Sequence, residues 1–374
     1  MSTPSADPEV NAPTSGDGSG LVLRDVYRVF PGNVLAVQNV NLHVENGEYV
    51  TLLGPSGCGK TTTLRMIGGH DEPSSGTISL DGEVLNGVEP AKRPVTTVFQ
   101  HFALFPHRSV LQNVAFGLKM RGMGRAERDK VAGDAVDMVG LGSMRQRKPR
   151  ELSSGQQQRV ALARVLVTRP KAILLDEPFG DLDRLLQLRM RVELRALQRD
   201  LGITFIHVTH NQEEALSMSD RIVVMNEGLI QQTGTPTELA RFPKNVFVAR
   251  FMGDNNTVRG PIEAVDGDTV TIRGTHVAAR VKAKGAVGDE AAVTIRASSV
   301  DVTAGAPKEA RPNCAQARLN FAEYLGDAVK LHLEVAGEAF TAKVAETRYA
   351  EMRELEGGDV TVRWTVEDGH VLEL

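Results

Sequence analysis

The stretch Gly54-Pro55-Ser56-Gly57-Cys58-Gly59-Lys60-Thr61 constrains this chain more than any other. It follows a run, Tyr49-Val50-Thr51-Leu52-Leu53, that reads as a buried strand, and it precedes Thr62 to Ile67, which reads as a helix. A strand, a glycine loop and a helix in that order make a phosphate cradle. The glycines let the backbone curl until its N–H groups point inward at anionic oxygens. The helix adds the positive end of its dipole to the same anion. Lys60 brings a full charge to the outer phosphates, and the Thr61 hydroxyl is placed to serve Mg²⁺.

Three later strand ends are expected to deliver polar groups to the same edge, where α/β sheets bind ligands. Val95 to Phe99 ends at Gln100, which can serve Mg²⁺ or the attacking water. Ala172 to Leu175 is continuously apolar, as a central parallel strand should be, and ends in Asp176-Glu177. The first carboxylate suits Mg²⁺, directly or through water. The second suits orienting and deprotonating a water. Ile203 to Val208 ends in Thr209-His210, and His210 is placed to sense a terminal phosphate. Leu152-Ser153-Ser154-Gly155-Gln156 opens a helix whose N-terminal amides can hold a further anion, with Ser153 as cap. Taken within one chain, that segment is also just an ordinary capped helix.

The chain has 374 residues, enough for two or three domains. Residues 1–20 lack Lys, Arg and an apolar core; they read as a disordered leader rather than a secretion signal. Leu21 onward mixes short strands and turns. Asn46-Gly47 is read as closing a hairpin into the strand that feeds the loop. Phe30 is left between two readings, stacking on an adenine ring or packing in the core. From His101 to about Pro170 the apolar spacing is helical, which suggests an insertion in an α/β core. Phe102, Leu104, Phe105 and Pro106 there form an apolar knot, either a packed loop or a groove for a partner helix.

From about Asn245 the pattern is all-β. Alternation at Val329, Leu331, Leu333 and Val335 suggests a small barrel. Acidic residues outnumber basic ones in this tail, and the whole chain carries a net charge of −4, so a nucleic-acid partner is not expected. The two cysteines, Cys58 and Cys314, lie far apart, which suits a reducing cytosol. No apolar run approaches the roughly 20 residues that span a bilayer, so a membrane role needs other subunits.

In order, these motifs resemble the ATP-binding cassette family, and specifically the ATPase subunits of bacterial importers. The resemblance runs from about Leu21 to Leu374 and rests on residues 54–61, Gln100, residues 152–156, Asp176-Glu177, Asp181 and His210. It implies an α/β fold: a P-loop NTPase core with an antiparallel β subdomain and a helical insertion at about 101–170, spanning 21–244, followed by an all-β, OB-like barrel at 245–374. It implies ATP and Mg²⁺ as ligands. It also implies a head-to-tail homodimer in which the loop of one copy and Ser153, Gly155 and Gln156 of the other clamp one nucleotide. The nucleotide-binding set becomes Phe30, Gly54, Pro55, Ser56, Gly57, Cys58, Gly59, Lys60, Thr61, Thr62, Ser153, Gly155, Gln156 and Asp181. The metal set is Thr61, Gln100 and Asp176, and the catalytic set is Glu177, His210 and Gln100.

The implied partners are two transmembrane permease subunits and, indirectly, an external solute-binding protein, with the chain at the cytoplasmic face of the plasma membrane. Phe251-Met252-Gly253-Asp254-Asn255-Asn256 and Glu323-Tyr324-Leu325-Gly326-Asp327 look most like subunits importing spermidine and putrescine; importers of ferric iron, sulfate and sugars share the layout. A soluble cassette ATPase acting on nucleic acid or the ribosome is the reading from a different class. Two positions depart from the family pattern: Ser154 stands where Gly is usual, and Asn211 where Asp is usual. Cys58 is expected to be shielded from alkylation by nucleotide.

Overall fold

The computed structural model describes residues 19–98, 104–180, 183–307 and 311–374. Gln100, Phe102, Asp181 and the leader up to residue 18 lie outside the described residues. The chain divides into two units, Met1–Pro236 and Thr237–Leu374.

In chain order the first unit runs β1 (Leu21–Phe30), β2 (Val34–Val44), β3 (Tyr49–Leu53), α1 (Lys60–Gly68), β4 (Ser75–Leu80), β5 (Glu83–Val84), β6 (Val95–Val98), α2 (Val110–Met120), α3 (Arg125–Met138) and α4 (Ser154–Leu166). It continues with β7 (Ala172–Asp176), α5 (Arg184–Leu201), β8 (Thr204–Thr209), α6 (Gln212–Met218), β9 (Arg221–Asn226) and β10 (Leu229–Gly234). The strands form two sheets, β2-β1-β4-β5 and β10-β9-β3-β8-β7-β6. In the second, β9, β3, β8, β7 and β6 are parallel, and β10 closes the edge antiparallel to β9.

The apolar runs explain this layering. Val50, Leu52, Leu174, Ile206 and Val208 share a core with Leu64 and Ile67 of α1 and with the small sheet. Tyr49, Ile173, Leu175 and Phe205 point the other way, onto Leu162 and Val165 of α4 and Met190 and Leu194 of α5. A strand buried on both faces does not alternate apolar and polar residues, which is why β7 is apolar from Ala172 to Leu175 and β3 is apolar but for the buried Thr51. A third core joins α2, α3 and α4 through Val114, Leu118, Val136 and Val160. Helix α4 is thus packed on two sides, against the sheet and against the helical cluster.

The expected Asn46-Gly47 hairpin is corrected by this arrangement. Strand β2 pairs with β1, whereas β3 pairs with β8 and β9, so the turn passes the chain from one sheet to the other. The wholly buried β3 needs parallel neighbours on both sides and finds them late in the sequence. Phe105 of the expected apolar knot packs edge-on against Phe116 of α2 at 4.6 Å.

The second unit begins within a short helix, α7 (Pro236–Arg241), followed by α8 (Val246–Phe251) and an all-antiparallel tail. Its strands are β11 (Asn255–Asp266), β12 (Thr269–Arg273), β13 (Ala278–Lys282), β14 (Glu290–Arg296), β15 (Asp301–Ala304), β16 (Cys314–Tyr324), β17 (Ala328–Val335), β18 (Glu338–Ala345), β19 (Asp359–Arg363) and β20 (Gly369–Leu372). They build two five-stranded sheets, β13-β12-β11-β14-β20 and β15-β19-β16-β17-β18. The sheets close on one core that includes Ile272, Ile295, Leu319, Leu331 and Trp364. The expected barrel therefore takes the form of two curled half-barrels.

Candidate functional site

Strands β3, β8 and β7 lie side by side and parallel, so their carboxyl ends open onto one edge. From β3 emerges the phosphate loop. Gly59 caps α1 at φ 100°, and Gly57 has φ 80°, left-handed values that a side chain rarely adopts. A Cβ on Gly59 would lie 2.5 Å from the Ala36 carbonyl oxygen, and one on Gly54 would lie 2.2 Å from that of Met225. The loop is thus packed so closely between β2 and β9 that only glycine fits there. The Lys60 ammonium donates to the carbonyl oxygens of Gly54 and Pro55, each at 2.8 Å, which holds the charge across the loop. Cys58 is 3% exposed, its sulfur 3.6 Å from Lys60 Nζ. Burial by itself already limits access to the thiol.

The Thr61 hydroxyl donates to Asp176 Oδ1 at 3.3 Å, bringing the loop and the end of β7 together. Burial raises the Asp176 carboxyl above its usual range; the Thr61 hydrogen bond opposes this, and the nearby Glu177 charge adds to it. A hydroxyl and a carboxylate side by side are hard oxygen donors of the kind Mg²⁺ takes alongside phosphates. Among the described residues no cluster of three or more His, Cys, Asp or Glu side chains is arranged to hold a metal.

Glu177 has φ 45°, a left-handed value for a non-glycine residue. Its N–H donates to the Val208 carbonyl at 3.0 Å, and its own carbonyl accepts from Gly180 N–H at 3.2 Å. The turn presents the carboxylate to His210, whose Nδ1 lies 3.1 Å from Glu177 Oε1. His210 is largely exposed, with 62% of its side chain accessible. The candidate base and the candidate phosphate sensor, 33 residues apart in sequence, are thus hydrogen-bonded neighbours.

Ser153 caps α4. Its hydroxyl accepts from Gln156 N–H, and Gln156 Oε1 accepts from Ser153 N–H at 3.0 Å, a reciprocal capping box. Ser153 and Ser154 are exposed, whereas Gly155 is buried, where a Cβ would meet Leu186 of α5 at 3.0 Å. Within the chain this segment is an accessible helix N-terminus. Phe30 is half-buried beside the Arg28 guanidinium, which lies 4.6 Å from its ring centre. It pairs with Val34 at the start of β2, two residues before the Ala36 carbonyl that abuts the loop. Thr62 is half-buried in the first turn of α1.

Some groups around the site were assigned no role from sequence. The Asn211 side chain accepts from the N–H groups of Glu213 and Glu214, capping α6 directly after His210. Glu214 turns inward, accepting from Thr209 Oγ1 at 2.7 Å and facing Arg191 at 3.3 Å. The spacing Asn211-x-x-Glu214 is a helix-start signal that could have located the cap. Nothing local in the sequence links Glu214 to Arg191 on another helix.

Comparison with known proteins agrees with this geometry. Residues 37–180 match the family model described as ABC transporter, and residues 293–372 match that described as TOBE domain. The spermidine/putrescine import ATP-binding protein PotA of Rubrobacter xylanophilus is 45% identical over 350 residues, 91% of this chain and 90% of that protein. Its namesake from Pseudomonas aeruginosa is 44% identical, covering 94% of this chain and 98% of the relative. Among solved structures, cbiO1 of Clostridium perfringens, part of the ABC transporter complex cbiONQ, superposes with a TM-score of 0.55 at 31% identity, covering 59% of this chain and 89% of that one. A dimeric ATP-binding cassette in a post-hydrolysis state bound to ADP and Pi gives a TM-score of 0.51 at 32% identity, covering 58% and 98%. This chain belongs to the ABC transporter family, among its import ATP-binding proteins.

Proposed function

We propose that this chain hydrolyses ATP to drive import of a polyamine such as spermidine or putrescine, working as a head-to-tail pair bound to two permease subunits. The observation that carries the reading is the convergence of Lys60, the Thr61–Asp176 contact and the Glu177–His210 contact at one edge of β3, β7 and β8. The loop amides and Lys60 bind the phosphates. Thr61, Asp176 and Gln100 would hold Mg²⁺, which would supply charge neutralisation at the phosphates. Glu177 orients the attacking water and accepts its proton. His210 contacts the terminal phosphate while Glu177 steadies its ring. Phe30 lies against the adenine, and Asp181 belongs to the same nucleotide-binding set.

Ser153, Gly155 and Gln156 complete the site of the second copy, which suits their exposed placement on a capped helix. Among the described residues no helix is long and apolar enough to cross a membrane, so the permease supplies the pore. We place the chain at the cytoplasmic face, where ATP is available. The polyamine cargo rests on the names of relatives that match along nearly their whole length.

The test is ATP turnover by the complex reconstituted in vesicles with its permease and solute-binding protein. Spermidine or putrescine should stimulate turnover. Stimulation by sulfate or a sugar, with none by polyamines, would overturn the cargo while leaving the motor intact. Turnover indifferent to Lys60→Ala would overturn the motor.

A further inference from the structure

Helix α5 grips both halves of the Glu177–His210 pair from behind. Gln187, on its first turn, donates from its side-chain amide to the Phe179 carbonyl at 2.9 Å. That carbonyl lies two residues beyond Glu177, in the turn whose Gly180 N–H returns to the Glu177 carbonyl. Arg191 lies one helical turn further on, on the same face of α5. Its guanidinium lies 3.3 Å from Glu214 and 3.7 Å from Glu213.

Glu214 in turn accepts from Thr209 Oγ1 at 2.7 Å, and the same hydroxyl accepts from Asn211 N–H at 3.0 Å. His210 stands between these two pinned residues. Arg191, Thr209 and Glu214 are 7%, 2% and 5% exposed, so the chain of contacts is shielded from water. Such contacts are worth more than on a surface, and they are costly to leave half-made.

Two further groups face this chain. His207 is fully buried with Nε2 3.6 Å from Glu214, and burial lowers its pKa to about 3, so the ring is neutral. The Tyr49 hydroxyl lies 3.4 Å from the other ring nitrogen, His207 Nδ1. The ionic partner of Glu214 in the interior is therefore Arg191.

We infer that α5 is the spacer that sets His210 against Glu177: Gln187 fixes the Glu177 turn, and Arg191, through Glu214 and Thr209, fixes the His210 turn. These four are positioning residues, and none needs to touch nucleotide. The inference rests on the roles proposed above for Glu177 and His210. A shift on the order of 1 Å in a reacting group can cost about a hundredfold in rate, so small losses of register should be visible.

The test is steady-state ATP turnover of the full chain, with ATP affinity measured separately. Thr209→Val keeps the shape of a buried strand residue and removes the hydroxyl; Thr209→Ser restores it. Thr209→Val should lower kcat roughly tenfold or more with little change in ATP affinity. Thr209→Ser should recover most of that loss. In a His210→Ala background Thr209→Val should add no further loss, because the group it positions is gone. Gln187→Ala, at a half-buried site, should lower kcat in the same way, and it decides the matter if Thr209→Val does not accumulate.

Turnover unchanged by both Thr209→Val and Gln187→Ala, with His210→Ala and Glu177→Gln inactive, overturns the spacer and spares the catalytic assignment. So does a Thr209→Val loss that adds fully to that of His210→Ala. Wild-type turnover in His210→Ala and Glu177→Gln overturns both.

Discussion

At Glu177 the backbone holds a non-glycine residue in the left-handed region, a conformation that costs roughly 1–2 kcal/mol. The Val208 and Gly180 hydrogen bonds maintain it, and the result is a carboxylate aimed at His210. Glu177→Gln preserves that shape and removes the basic oxygen. Nucleotide binding should persist while turnover falls by about 10² to 10⁴. Single-turnover kinetics with separately measured ATP affinity checks this, and turnover within a few-fold of wild type would remove Glu177 from the role.

Asn211 is a departure from the family pattern that the structure explains. Its side-chain oxygen caps α6, a task Asn and Asp perform about equally well. Asn211→Asp should change unfolding free energy by less than about 0.5 kcal/mol, and Asn211→Ala should cost about 1 kcal/mol. Urea titrations of both variants measure it. Lys60 and Thr61 were legible in the sequence because they open a helix directly after a glycine loop, and Asp176 and Glu177 because they end a buried apolar strand. The Arg191–Glu214 contact was not, since it joins two helices whose relative position only the packing of the sheet determines.

Helix α4 was legible as a helix with a small-residue start, and its two-sided burial was not. Periodicity reveals an apolar face, but not that one helix divides its faces between two cores. The β2–β3 turn misled for the same reason. Asn-Gly between apolar runs looks like a hairpin whether or not the runs pair with each other. Ser154 occupies the exposed first position of α4, where a side chain meets solvent. Ser154→Gly is therefore expected to leave turnover close to wild type; a very large gain would show that the helix start is impaired as it stands. Gly155 is the constrained neighbour. Gly155→Ala presses on Leu186 and should cost about 1–2 kcal/mol, less if Leu186 turns aside. Thermal unfolding of the two variants side by side separates these effects.

Across the first unit, Asp81 ties distant elements together. It pairs with Lys171 at 2.7 Å and accepts from Gly20 N–H at 2.9 Å and the Asn46 amide at 3.0 Å. The Lys171 contact is the main reason its pKa falls from 3.8 to about 2. A depressed carboxyl stabilises the fold above its unfolded pKa and loses that contribution as pH falls through the folded value. Asp81→Asn should thus be less stable than wild type at neutral pH, and the gap should close between about pH 4 and pH 2. Asp176, whose pKa is raised mainly by burial, has the opposite sign and stabilises less as pH rises. Urea midpoints against pH for wild type and Asp81→Asn test the first claim; a gap that is constant with pH would contradict it. The all-β character of the tail was legible in alternation such as that at Val329, Leu331, Leu333 and Val335, whereas its division into two curled sheets depends on long-range register that no local pattern contains.

The central claim is that one nucleotide is held between two copies of this chain, the exposed start of α4 in one copy completing the site of the other. The most direct test is specific ATPase activity of the full chain against its concentration, with sedimentation to report the oligomeric state. Activity per chain should rise as pairs form and should disappear with Ser153→Arg. Full activity in a chain shown to be monomeric, undiminished by Ser153→Arg, would contradict the account.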